Sequence, residues 1–423
     1  MATHPGRRRC LLVSSGYVPA GPLSLPWRRL DLRSGMEGWA MTVRVPVRPA
    51  MLAWARERSR QTPEDLFARF PALYEWEQGT RQPTLKQLEK FAQATHTPVG
   101  YLFLPEPPEE PLPVPDFRTI GDVEIGHASP DLLDTVYQCQ QRQEWYRDYA
   151  RLHRESPVPF VGTFSVGSDV EEAATRMREV LEFAPDERGS SWSEALRRLI
   201  EEADRNGVLV MVSGIVGSNT HRKLDPDEFR GFALADDLAP LIFVNGADTK
   251  AAQIFTLAHE LVHIWIGESA VSDADMASTS GNAIERWCNQ VAAEFLVPGS
   301  ALRGYQLNRD DLTDELDTLA RRFKVSTLVV LRRLFDANYF TATQYREEFS
   351  SELDRIRTLM EERGTGSGGN FYNTQPVRVS KRFARALIES TLEGQTLHRD
   401  AFQMLGFKKV STFNELAARL GVV

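Results

Sequence analysis

Phe255-Thr256-Leu257-Ala258-His259-Glu260-Leu261-Val262-His263 is the stretch on which the reading of this 423-residue chain turns. It sits in a strongly helix-forming run from Ala251 to Trp265. Residues four apart share a helix face, so the imidazoles of His259 and His263 can reach one ion with Glu260 beside them. Zinc takes neutral histidine nitrogens at about 2.0–2.1 Å and, in a catalytic site, keeps a position open for water. Glu260 then has the chemistry of a general base toward that water. The neighbours Ile254, Leu257, Ala258, Leu261, Val262, Ile264 and Trp265 leave little polar face, which predicts a buried helix. Two His and a Glu inside such a helix need partners, and a metal ion supplies them.

A catalytic zinc needs a third protein ligand. Ile284 to Val297, closed by Pro298, reads as a second helix. Glu285 and Asn289 are four apart, so one can bind the ion while the other steadies an imidazole by a hydrogen bond. Glu294 competes with Glu285, but nine residues is two and a half turns, which puts the two on nearly opposite faces. Asp273, Asp275 and Cys288 are weaker candidates, and Cys288 reads as a core residue. Upstream, Gly231-Phe232-Ala233-Leu234 and Leu241-Ile242-Phe243-Val244 read as short strands. Gly231, Phe232, Ala233 and Leu234 form either an edge strand that pairs with an extended substrate or an ordinary inner strand.

In combination, Arg230 to Leu234, Pro240 to Asn245, Phe255 to His263 and Glu285 to Pro298 resemble the ImmA/IrrE family of zinc peptidases of bacteria, phages and mobile elements. The resemblance spans roughly residues 160–340. It implies a gluzincin-like site in which His259, His263 and Glu285 bind Zn2+ and Glu260 is the base. Trp287-Cys288 departs from the smaller or acidic residues usual there. Leu312 to Leu334 has a helix-turn-helix look, but it resembles the helices that support the active site in the same family.

Residues 51–104 are periodic and helical, with a Thr62-Pro63-Glu64-Asp65 start and another at Pro83-Thr84. Trp76-Glu77-Gln78-Gly79-Thr80-Arg81-Gln82-Pro83-Thr84 resembles the Cro/repressor-like (XRE) helix-turn-helix family. Arg56, Arg58, Arg60, Arg69, Arg81 and Lys86 are the candidate phosphate contacts. Against DNA reading, the segment Phe70 to Glu77 is short and acidic, and Met41 to Pro105 carries nine Lys/Arg against six Asp/Glu. DNA binding through residues 48–105 and a module kept for protein contacts both stay open.

A formal charge of −8, with 42% apolar and 26% charged residues, suits a soluble globular chain and disfavours a whole-chain nucleic-acid coat. No apolar run approaches the roughly 20 residues of a membrane span. Three separated cysteines offer no disulfide framework, which suits the cytoplasm. The expected fold class is α+β. Residues 1–40 read as a disordered or upstream extension, 48–105 as the helix-turn-helix module and 106–118 as a Pro-rich linker. A zincin-like peptidase domain is expected over 130–345 (core 160–340), within which Phe160 to Val166 looks β-rich, and a C-terminal helical region over 346–423. The expected function is a cytosolic zinc metalloendopeptidase that cuts a protein partner, by resemblance a repressor or antitoxin-like regulator. The rivals are a DNA-binding regulator with a sensory or vestigial site, and a component of a toxin–antitoxin pair.

Overall fold

Proline and threonine set the first boundaries of the fold. The computed structural model describes residues 43–116, 119–120, 123–124, 128–272, 283–363 and 378–422. The extension 1–40, Asp273, Asp275 and the glycine-rich stretch 364–369 lie outside the described residues. Four short helices come first: α1 (Pro49–Arg58), α2 (Pro63–Arg69), α3 (Leu73–Glu77) and α4 (Leu85–Ala94). Thr62 accepts from the Asp65 amide to start α2, and Thr84 and Gln87 form a reciprocal capping box at α4. Trp76 is the centre of this module's own core and meets Phe91 edge-on, with Phe70 packed against both. Arg44–Val423 nonetheless form one compact unit.

The Pro-rich stretch expected as a linker is docked along its described length. Arg48 donates to the Pro105 carbonyl at 2.7 Å, Arg58 pairs with Glu110, and Leu112 and Val114 pack against the second of two large cores. A small hairpin follows, β1 (Thr119–Ile120) with β2 (Val123–Glu124). The long helix α5 (Pro130–His153) is capped by Ser129, whose hydroxyl accepts from the Leu132 amide. Two amphipathic helices, α6 (Val170–Val180) and α7 (Trp192–Arg205), lead into the sheet.

The sheet has four strands, β3 (Leu209–Ser213), β4 (Gly231–Leu234), β5 (Leu241–Asn245) and β6 (Ala270–Ser272), in the order β3-β5-β4-β6. Strands β3 and β5 run parallel, and β4 is antiparallel to both β5 and β6. Alternate residues point to opposite faces. Val210, Val212, Ala233, Ile242 and Val244 join one core with the helix α8 (Lys250–Ile266), whereas Leu209, Met211, Phe232, Leu234, Leu241 and Phe243 join the other with α5. Helices on both faces explain why these strands are apolar throughout rather than alternating.

Two expectations are corrected here. Gly231, Phe232, Ala233 and Leu234 are not an edge strand, because β4 lies between β5 and β6. The edge belongs to β6, where Asp116 forms a parallel bridge with Val271 and the Val271 amide donates to the Pro115 carbonyl at 3.0 Å. Nor is Phe160–Val166 a strand. The Gly162 and Phe164 amides donate to the Ile264 and Trp265 carbonyls, and Phe160 stacks on Trp265 at 3.9 Å between centroids. The apolar character of that segment comes from closing the C-terminus of α8, where the last carbonyls need donors.

Beyond the sheet lie α9 (Ala283–Leu296), α10 (Gly299–Leu302), α11 (Leu312–Phe323), α12 (Thr327–Asp336) and α13 (Ala342–Arg363). Helices α14 (Lys381–Leu392), α15 (His398–Leu405) and α16 (Val410–Arg419) close the chain and share the α5 core. Asp204 of α7 accepts from Ser380 Oγ at 2.7 Å and from the Lys381 amide at 3.1 Å, fixing the start of α14. On the other side, Arg333 of α12 forms a buried ion pair with Glu294, which also accepts from the Gly299 amide. Glu294→Gln should therefore cost about 3 kcal/mol in urea unfolding, by leaving the buried guanidinium with only the more exposed Asp336 as countercharge; a loss within about 0.5 kcal/mol of zero, roughly that of a surface substitution, would contradict this packing.

Candidate metal centre

Helix α8 is apolar enough to be buried on nearly every side, and Gly267 ends it in the left-handed conformation that L side chains disfavour. Burial is complete at the residues that matter: His259, Glu260 and His263 are 0% exposed, and Glu285 of α9 is 3% exposed. The four-residue spacing puts the two imidazoles on one face, with His259 Nε2 and His263 Nε2 3.1 Å apart. Glu285 closes the triangle, its carboxylate oxygens 3.2 Å from His259 Nε2 and 3.1 Å from His263 Nε2. Ligand atoms of all three residues lie within 4.8 Å of one another.

These separations fit a metal ion. Two nitrogens on one tetrahedral ion at about 2.05 Å each stand about 3.3 Å apart. The Nε2 pair is close to that spacing, and the neutral ligand form of each ring presents a lone pair rather than a proton. Glu285 Oε1, although 3.1 Å from His263 Nε2, is not aligned for a hydrogen bond with it. Three lone-pair donors converging at these separations are what a cation binds.

The surroundings orient the rings. His259 Nδ1 stands 2.9 Å from Asn289 Oδ1, one turn beyond Glu285 on α9, so the amide oxygen accepts the Nδ1 proton and leaves Nε2 as the donor atom. The Cys288 thiol lies beside the His263 ring. Burial lowers the basicity of His263, but Cys288 and Glu285 outweigh it and hold the ring well above the ordinary histidine range. Burial raises Glu285, yet His259 and His263 pull it well below the usual carboxylate range. The carboxyl of Glu260 is raised, chiefly by burial, with His263, His259 and Ser272 opposing.

Glu260 is tied by one oxygen alone. The Ser272 hydroxyl at the end of β6 donates to Oε1, while Oε2 is buried with no hydrogen-bond partner. Beneath it, Gly231 is a necessity of space: a Cβ there would stand 2.6 Å from Thr256 Cγ2, 2.9 Å from the Phe243 carbonyl and 3.2 Å from Glu260 Oε1. A glycine inside a strand is the ordinary sign of such an approach. Nothing in the local pattern pointed to Ser272, whose role depends on how β6 returns beside α8.

The residues weighed from sequence fall into distinct places. His259, His263, Glu285, Glu260 and Asn289 come together. Glu294 points away to Arg333. Cys288 is buried, as a core residue would be, and also touches His263. In the N-terminal module, Arg56 pairs with Glu77 at 2.8 Å, Arg58 with Glu110, Arg60 with Glu228 at 3.2 Å and Arg81 with Glu75 at 3.1 Å. Arg69 lies over the Phe70 ring, and Lys86 is exposed.

Metal content by inductively coupled plasma analysis should separate the two carboxylates: Glu285→Gln and His259→Ala should fall from about one zinc per chain toward none, while Glu294→Gln keeps it. Equal retention in Glu285→Gln would remove that residue from the ligand set. Gly231→Ala should lower the melting temperature by several degrees, since the new methyl group has backbone on one side and Glu260 on the other; an unchanged melting temperature would contradict the close approach of β4 to α8.

Residues 203–335 match the family model described as the IrrE N-terminal-like domain, of the M78 peptidases, and residues 379–419 match one described as a domain of unknown function, DUF8813. No curated protein matches the chain. No helix among the described residues is long and apolar enough to cross a membrane. The first match takes in the whole sheet, α8 with its His-Glu-Leu-Val-His motif, and α9 with Glu285. Through that domain the chain is similar to the ImmA/IrrE-type M78 peptidases, and the match indicates a metallopeptidase-type function.

Proposed function

We propose that the chain is a cytosolic zinc-dependent metalloendopeptidase whose substrate is a protein partner, a repressor or antitoxin-like regulator. The observation that carries this reading is the pairing of a three-ligand cluster with a buried carboxylate, Glu260, that is not one of the ligands and keeps one oxygen free. A purely structural metal site needs no such group. His259, His263 and Glu285 would hold the ion, which when bound would supply Lewis-acid polarisation of a carbonyl and of water. Glu260 would accept a proton at Oε2 and return it to the leaving amine, while Ser272 holds Oε1 and keeps the carboxylate from turning. Asn289 and Cys288 would keep the two rings facing the ion.

For the N-terminal module we favour contacts with protein, with DNA through residues 48–105 as the alternative. Four of the six candidate phosphate contacts, Arg56, Arg58, Arg60 and Arg81, are engaged with carboxylates of this same chain. Groups already neutralised release fewer counterions on binding a phosphate backbone.

Glu260→Gln should keep its zinc and its melting profile while cleavage of the partner, co-expressed from the neighbouring coding region, falls at least about 10²-fold. Cleavage at the unmutated rate would leave the metal a structural role and turn the assignment to a toxin–antitoxin component or another interaction protein. Retention of the full chain on its own promoter DNA should be weak and nearly independent of salt; a steep loss of tight binding between 50 and 200 mM salt, of the ~10³-fold size that six or more phosphate contacts produce, would favour the DNA-binding regulator.

A further inference from the structure

The edge of a sheet presents backbone donors and acceptors with which another extended chain can pair. Next to the metal cluster that edge is β6, and its outward amide, that of Val271, donates to the Pro115 carbonyl at 3.0 Å. Asp116 bridges Val271 in parallel register. Side chains then alternate between two faces. Val271 faces the second core, and Leu112 and Val114 pack against that same core. Ser272 faces α8, where its hydroxyl donates to Glu260 Oε1. The register sets Pro115 opposite Ala270, on the Ser272 side of the sheet.

The segment that covers this edge is a poor strand. Pro113 and Pro115 have no amide proton, so neither can donate to a ladder. Pro115 and Asp116 are exposed, and Leu112 and Val114 only partly buried, whereas Ala270, Val271 and Ser272 beneath them are 0% exposed. Its firmer hold lies at the other end, in the N-terminal module. Arg58 of α1 pairs with Glu110, Nη2 to Oε1 at 2.7 Å, and Arg48 donates to the Pro105 carbonyl at 2.7 Å. The cover is thus weakly bound where it meets the sheet and firmly tied where it meets the module.

We propose that residues 112–116 are an autoinhibitory strap, which holds the β6 edge in the resting chain and which an extended polypeptide must displace to lie beside Glu260. The proposal rests on the peptidase reading above and concerns the regulation of that site. Neighbouring strands stand about 4.8 Å apart, so a chain paired with β6 lies one strand beyond the backbone that carries Ser272, the residue holding the base. Strap and polypeptide compete for the same Val271 amide. The strap is tethered, which gives it an effective concentration of millimolar order that an incoming chain has to overcome. Because Arg48 and Arg58 fasten it to the module, occupancy of the edge depends on where the module sits.

Fluorescently labelled β-casein, an unfolded polypeptide, is the probe, and the full chain carrying Glu260→Gln is the host, so that binding is read without turnover. Adding Leu112→Asp and Val114→Asp, which drive the strap off the second core, should lower the Kd for casein at least about tenfold, by removing the tethered competitor. Glu110→Gln, which leaves the core contacts alone, should act in the same direction and serves if the double variant does not fold. Leu397→Asp, at an exposed leucine of the C-terminal region, should change nothing. Hydrogen exchange at the Val271 amide should quicken in the released chains and slow again when casein is added. Equal casein affinity in released and unreleased chains, no measurable binding to either, or a Val271 amide that casein fails to protect would overturn the proposal. Cleavage is a separate readout: with Glu260 restored and zinc supplied, a released chain that binds casein more tightly yet leaves it uncut would refute the peptidase reading and leave the strap standing.

Discussion

Everything near the centre of this molecule depends on the burial of a His-Glu-His-Glu cluster between two apolar helices. Two imidazoles and two carboxylates with almost no access to water are costly unless they hold a shared ion or shared protons. The packing around them is arranged for that one purpose. Helix α8 contributes three of the four groups within five residues, α9 contributes the fourth and its Asn289 brace, and the sheet contributes the floor at Gly231 and the Ser272 hydroxyl. The rest of the domain holds these elements at fixed separations.

That support is itself polar at chosen points. Helix α9 carries Glu285 on one face and Glu294 on the other, and each face has its own use. One converges with the histidines, and the other ties α9 to α12 through Arg333 and caps α10. Arg188 seals the carbonyls at the end of the same helix. A helix pinned at its far end by two buried arginines cannot easily slide or rotate, which is what a ligand carboxylate requires of its backbone. The helix pair α11–α12, with its helix-turn-helix look, is employed in this bracing.

The N-terminal module, the Pro-rich stretch and the edge of the sheet form a continuous path of contacts. Arg48 and Arg58 hold the stretch from the module side, and Pro115 and Asp116 meet β6 at its end. Strand β6 also carries Ser272, so the groups that position Glu260 and those that cover the sheet edge share three residues. On the opposite face, α5 and the C-terminal helices bury the other half of the strands. This explains why no strand of the sheet shows the alternating polarity of a one-sided sheet.

The sequence by itself determined the elements whose signal is local. The spacing of His259 and His263, the apolar flanks of α8, the capping residues Thr62 and Thr84 and the half-turn arithmetic separating Glu285 from Glu294 are all set by helical geometry. They were legible because 3.6 residues per turn relates position to direction with no knowledge of the fold. What only the tertiary structure decided concerns pairing between distant segments. Whether Gly231–Leu234 is an edge or an inner strand depends on where β6 returns, and an apolar run such as Phe160–Val166 reads alike whether it joins a sheet or closes a helix end. Ser272 beside Glu260, Cys288 beside His263 and Pro115 beside Val271 had no local signature either. Their meaning lies in which atoms stand within 3–4 Å across tens to hundreds of residues, and a one-dimensional pattern carries no record of that distance.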